Sequence, residues 1–179
     1  MKLKIFISVF LIFLITTQGF SQEKSKGQLK KEQKEKVKLE KEKKTEALIE
    51  SKTFVFIAET ALPMGTRSIN LRNDNYSVIF QPDMIESFIP FFGRAYSGAG
   101  FGNDNGLMFK EKPKSFDVKK TNKNYQIDVV VNKNNNNYQM SLTVSFEGGA
   151  TLSVTSSNRS TITYQGYLEP IKQKPVDKQ

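Results

Sequence analysis

From Thr53 to about Leu168 the chain alternates apolar and polar residues with period two, and turn-forming residues break the alternation at short intervals. Period two places successive side chains on opposite faces of a strand, whereas an amphipathic helix needs apolar residues three and four apart. Over this length the chain is held to all-β solutions. Tyr125, Ile127, Val129 and Val131 share one face of a strand expected over 125–132. Leu142, Val144 and Phe146 do so over 138–146, Leu152 and Val154 over 150–156, and Ile162, Tyr164 and Leu168 over 161–168. Further strands are expected over 53–62, 67–71, 76–81 and 115–120. The connections are short: Asn73-Asp74-Asn75, Thr121 to Asn124, the asparagine run Asn134 to Asn137, Gly148-Gly149 and Asn158-Arg159, all residue types that favour hairpins. The expected fold is an antiparallel meander of about eight strands, a curled sheet or small barrel, with a two-sheet sandwich as the alternative.

The chain has 14 Phe and 6 Tyr, of which 10 Phe and all 6 Tyr fall within residues 53–170 and can serve the core of such a domain, and it contains no Cys, His or Trp. The missing residue types remove the thiolate nucleophile, the disulfide, the usual zinc ligands and the usual general base near neutral pH. A carboxylate-only hydrolase needs just two acids. The candidates Glu59, Asp74, Asp83, Glu86, Asp104, Glu111, Asp117, Asp128, Glu147 and Glu169 fall mostly at turns or outward positions and form no motif. The sequence therefore points to a non-enzymatic protein with no catalytic residue, metal or cofactor.

Three segments surround the domain. Residues 1–21 read as a secretory signal peptide: Lys2 and Lys4, an apolar run from Ile5 to Ile15, then Gly19 and Ser21 at the positions that precede cleavage before Gln22. That run is too short for a membrane span, and the expected location is periplasmic or secreted. Residues 22–52 carry 11 Lys against 7 Glu, with Glu32–Lys36 and Glu40–Lys44 four apart, as in a charged and partly helical spacer. A weak contact of this spacer with anionic surfaces is one expectation, and docking of its end through Ala47, Leu48 and Ile49 is another. Residues 53–170 form the domain, and 171–179 read as a disordered tail. The formal charge of +9 comes mostly from outside the domain; within it, 11 Lys plus Arg nearly balance 10 Asp plus Glu. No nucleic-acid face is expected.

The alternation fails at Pro82 to Phe92, which reads as a short helix or turn, and at the glycine-rich stretch from Gly93 to Gly106, which reads as a long loop. Gly98-Ala99-Gly100-Phe101-Gly102 lacks the spacing of a nucleotide cradle, and Asn103-Asp104-Asn105-Gly106 lacks the terminal glutamate of a calcium loop. Long aromatic loops at a barrel mouth are where binding residues gather. Phe91, Phe92, Tyr96 and Phe101 are the candidates to line an apolar mouth, and Arg94 and Arg159 to fix a polar or anionic group. For either arginine, pairing with a domain carboxylate or capping a turn is the competing role.

The runs Pro90-Phe91-Phe92-Gly93-Arg94-Ala95-Tyr96-Ser97, Gly106-Leu107-Met108-Phe109, Phe116-Asp117-Val118 and Asn158 to Leu168 resemble exported Bacteroidota proteins grouped as domain of unknown function family 4251. The resemblance covers about residues 46–170 and departs from the usual pattern at the asparagine run. It implies export and a compact domain, and it supplies no reaction. A small-molecule binding module and a structural or assembly protein of the envelope are the two roles left open.

Overall fold

The computed structural model describes residues 26–93, 106–133 and 136–171. The expected signal peptide, the start of the spacer, residues 172–179 of the expected tail and the first half of the asparagine run lie outside the described residues.

The spacer forms one α-helix, α1 (Lys26–Ser51). Residues 26–36 belong to a unit of their own, and from Val37 onward the chain is a second compact unit. The helix stops where Lys52 takes a left-handed φ of 52° and its N–H donates to the Ile49 carbonyl at 3.1 Å. The Ser51 hydroxyl donates to the Leu48 carbonyl at 2.7 Å, satisfying a second terminal carbonyl. In the last two turns Thr45 and Ile49 are buried and Leu48 is half-buried against the core, while Ala47 stays exposed. Docking through Leu48 and Ile49 matches expectation, and Thr45 joins them. Thr45 sits against the turn after β8 (Asn136–Ser145), where Gly148 has φ 93° and any added Cβ would lie 3.2 Å from the threonine oxygen. Exposed ion pairs, Lys38 with Glu147 and Glu46 with Lys120, flank this contact; solvent screening leaves such pairs little weight in stability.

The described residues form ten antiparallel strands in one sheet that closes almost completely into a barrel. Besides β8 these are β1 (Phe54–Pro63), β2 (Ile69–Asn70), β3 (Ser77–Gln81), β4 (Met84–Pro90), β5 (Gly106–Glu111), β6 (Pro113–Lys120), β7 (Asn124–Lys133), β9 (Gly149–Ser156) and β10 (Arg159–Glu169). Nine of them follow the order β5-β4-β3-β1-β10-β9-β8-β7-β6, and the two-residue β2 pairs with β1. Two strands exceed the eight expected. Pro82 to Phe92 is mostly strand β4, entered by the tight turn at Pro82-Asp83, and the chain from Gly106 pairs with it as β5.

The two outer strands of the order, β5 and β6, are consecutive in sequence and separated by Lys112 alone. One long stretch of chain therefore pairs with β4 through its first half and with β7 through its second. Pro113, at the start of β6, has no N–H to give a ladder, which fits a strand beginning. Across the remaining seam side chains replace the ladder. Lys133 Nζ donates to the Met108 carbonyl at 2.9 Å, and Phe109 stacks on Tyr138 with ring centroids 5.2 Å apart.

The interior is filled. Phe54, Phe56, Phe80, Ile85, Ile127, Leu142, Leu152 and Tyr164 are fully enclosed, and Phe54 stacks on Phe80 at 5.3 Å between centroids. Burying each such side chain stabilises the fold by about 1.5–3 kcal/mol. A β-bulge at Glu59 lets β1 serve this core along its whole length: Ala58 pairs with Gly166 and Thr60 with Gln165, so Glu59 has no partner on β10. Phe54, Phe56 and Ala58 face inward before the bulge, and Ala61 and Pro63 after it. The freed Glu59 carbonyl accepts the Leu71 N–H at 2.8 Å, and its carboxylate pairs with Arg72.

Candidate functional site

Three chain segments converge where β4 ends, β5 begins and β10 begins. Strand β4 delivers Pro90 and then Phe91 and Phe92; the turn at Ser157-Asn158 delivers Arg159 as the first residue of β10. Arg159 is 7 % exposed. Its Nη1 donates to the Gly106 carbonyl at 3.2 Å, and its guanidinium carbon lies 4.9 Å from the centroid of the Phe91 ring. A desolvated guanidinium over an aromatic face gains about 2 kcal/mol from the ring quadrupole. The side chain thereby ties the start of β10 to the end of β4 and the start of β5.

Tyr164, five residues further along β10, donates its hydroxyl to the Pro90 carbonyl at 2.5 Å. Burial pushes its phenol well above the ordinary tyrosine range, and the nearby Arg159 charge offsets part of that rise. Ser87, buried on β4, donates to the Leu107 carbonyl at 2.6 Å. A Cβ at Gly93 would stand 2.5 Å from both the Phe91 ring and the Ser160 hydroxyl oxygen, so a side chain there would have to displace one or both.

Of the six residues expected to bind, the structure brings Phe91 and Arg159 into direct contact and leaves Phe92 at the rim, 40 % exposed. Arg94, Tyr96 and Phe101 lie outside the described residues. Sequence reasoning missed Tyr164 and Ser87 as parts of this corner, since each sits in an ordinary strand pattern. The alternation of Leu107 and Phe109 inward against Met108 outward was the one local signal for the partner strand β5. Chemically the corner offers an aromatic edge and a cation held in fixed geometry.

On the outer wall beside it, Ile57, Ser77, Phe88 and Met108 stand in one cross-strand row. Phe88 is 49 % and Met108 41 % exposed, and Tyr76 packs on Phe88 at 5.7 Å between centroids. Among the described residues no three potential metal ligands cluster, and no helix is long and apolar enough to cross a membrane.

These features define a small all-β domain: an almost closed ten-stranded antiparallel barrel with an N-terminal helix packed on it through its last turns. Residues 31–168 match the family described as Domain of unknown function (DUF4251), and the chain belongs to that family. A crystal structure of a DUF4251 family protein from Bacteroides eggerthii DSM 20697 is similar in fold, with a TM-score of 0.56 at 15 % identity, covering 73 % of this chain and 87 % of that one. None of the curated proteins matches the chain.

Proposed function

We propose that this is an exported, non-enzymatic binding module of the envelope, released into the periplasm or medium by cleavage near Ser21-Gln22. Recognition takes place at the corner built by Phe91, Phe92 and Arg159, with Arg94, Tyr96 and Phe101 contributing from the adjoining stretch. The observation that carries the reading is the Arg159 guanidinium held over Phe91 beside a projecting Phe92. Aromatic and arginine side chains in fixed geometry are the groups that dominate binding energy at recognition surfaces. The filled barrel supports an external site rather than an internal ligand cavity. Exposed ion pairs of Glu59 with Arg72 and Glu86 with Lys110 engage two of the ten candidate carboxylates.

The exposed row of Phe88 and Met108 favours one second reading, a structural or assembly role in which a partner protein covers that wall. Native mass spectrometry of the purified protein, with extraction of any co-purifying small molecule, separates the two. A bound small molecule lost on Phe92→Ala supports the first reading. A partner protein lost on Phe88→Ser, with no small molecule found, supports the second.

A further inference from the structure

The last turns of α1 touch the barrel through Thr45 and Ile49 and leave a hollow beside them. Between them and the residues that follow β10 runs a hollow of about 650 Å³, lined by Lys44, Ala47, Leu48, Gln81, Pro170 and Ile171 among others. A second hollow of about 240 Å³ adjoins it, sharing Lys44 and Leu48 and reaching Lys41, Gly149 and Tyr167. The shared residues make the two a single groove, bounded on one side by the helix from Lys41 to Ser51 and on the other by the chain from Tyr167 to Ile171. At 1.5 Å per residue the helical side is about 15 Å long.

Its chemistry is divided. The floor is mainly apolar, with Leu48 and Ile171 half-buried and Ala47 exposed. The rim is basic: Lys41, Lys44 and Leu48 are three and four residues apart and so share one helix face. Of the nearby glutamates, 42, 46 and 50 fall off that face; Glu40 stands at its edge four residues before Lys44, yet no ion pair joins the two. Neighbouring lysines are already neutralised, Lys38 by Glu42 and Glu147, Lys120 by Glu46. Lys41 and Lys44 have no carboxylate within ion-pair distance among the described residues. Glu147, across the smaller hollow, is the one acid on the lining and is engaged by Lys38.

We propose that this groove binds a single-chain anionic amphiphile, with the alkyl chain along Ala47, Leu48, Pro170 and Ile171 and the anionic head on Lys41 and Lys44. Apolar clefts of several hundred Å³ with a few placed polar groups are the usual form of small-molecule sites, and two unpaired cations above an apolar floor select for an anionic head on a greasy tail. Carboxylate and phosphate heads satisfy the same lysines. The site is independent of the corner at Arg159.

The test is calorimetric titration of the full chain with dodecanoate, dodecyl phosphate and dodecyltrimethylammonium, each below its micelle concentration. Expected is saturable one-to-one binding of both anions, at least tenfold tighter than the cation. Lys41→Gln with Lys44→Gln should abolish that preference. Ala47→Glu, an exposed position, should leave the melting temperature unchanged and weaken both anions at least tenfold. Dodecanoate should shift the amide resonances of Leu48, Gly149 and Ile171. Which of the two anions binds tighter names the head group. Equal binding of cation and anions, indifference to the lysine or Ala47 variants, or shifts elsewhere would overturn the proposal. So would a dimer in sedimentation that Ala47→Glu dissociates, since a second copy would then be the occupant.

Discussion

Gly166→Ala is the substitution whose cost the structure defines most sharply. A Cβ at residue 166 would lie 1.8 Å from the Ile57 carbonyl oxygen, 2.9 Å from its carbonyl carbon and 3.3 Å from the Ala58 Cα. All three are backbone atoms of the neighbouring strand at the bulge, so no side chain can rotate away. Relief requires β1 and β10 to part locally by more than an ångström. Overpacking of this kind costs about 1–3 kcal/mol, and loosening one or two ladder hydrogen bonds beside it adds about 1 kcal/mol each. The expected loss is about 4 kcal/mol, a large share of the roughly 5–15 kcal/mol that holds a domain together. For a domain of this size it should lower the melting temperature by about 15 °C. Differential scanning calorimetry of Gly166→Ala measures it, with Gly65→Ala as the contrast. Gly65 has φ 77° and nothing within 4 Å, so only left-handed strain applies there, about 1 kcal/mol. If Gly166→Ala melts within ~2 °C of the parent, where ~4 °C per kcal/mol is expected, the reasoning about close strand approach at the bulge is wrong.

Ile49→Ala should destabilise by about 2–4 kcal/mol, since a side chain 2 % exposed is truncated in the contact between helix and barrel; chemical denaturation of the two proteins checks it. Lys120→Ala, by contrast, should shift the denaturation midpoint hardly at all, because its pair with Glu46 is exposed and screened. Tyr164→Phe leaves the Pro90 carbonyl without its buried donor and should cost about 1–3 kcal/mol at neutral pH. The same residue gives a pH signature. Its folded pKa is raised, so its contribution is fully present below the unfolded value of about 10 and is lost as pH rises beyond it, when the unfolded chain releases a proton that the folded chain keeps. Denaturation between neutral pH and pH ~11 should therefore show a shallower alkaline decline in Tyr164→Phe than in the parent.

The strands β7 to β10 were legible because each buries one face and wets the other, so Ile127, Leu142, Leu152 and Ile162 fall at strict period two. Strand β4 was not. Ile85 and Ile89 face inward, yet Phe88 faces outward and Ser87 inward, and flanking prolines add a turn signal. The polar inward residue is tolerated because its hydroxyl finds the Leu107 carbonyl, a long-range contact no local pattern encodes. The bulge at Glu59 escaped for a similar reason: one extra residue is visible only once β10 is laid alongside. At the candidate site, composition drew attention to Phe91 and Arg159, but their meeting depends on strand ends 68 residues apart in sequence. Helix docking was foreshadowed by the apolar triplet before Ser51, whereas Thr45 carried no signal because its burial is a matter of fit to Gly148.

The pairing of β1 with β10 from Val55–Glu169 to Pro63–Ile162 has a bearing on how the chain acquires its structure. The first long strand is flanked by β10, so the middle of the sheet waits until that strand has been made. Pairing across more than a hundred residues carries a large loop-closure cost and slows folding. The hairpins from β6 to β9 can assemble as the chain emerges, but β1, with Phe54 and Phe56, cannot be enclosed until Tyr164 and Leu168 arrive. A nascent chain stopped short of Arg159 should remain protease-sensitive at Phe54 to Pro63, and the completed chain should become resistant there in one cooperative step.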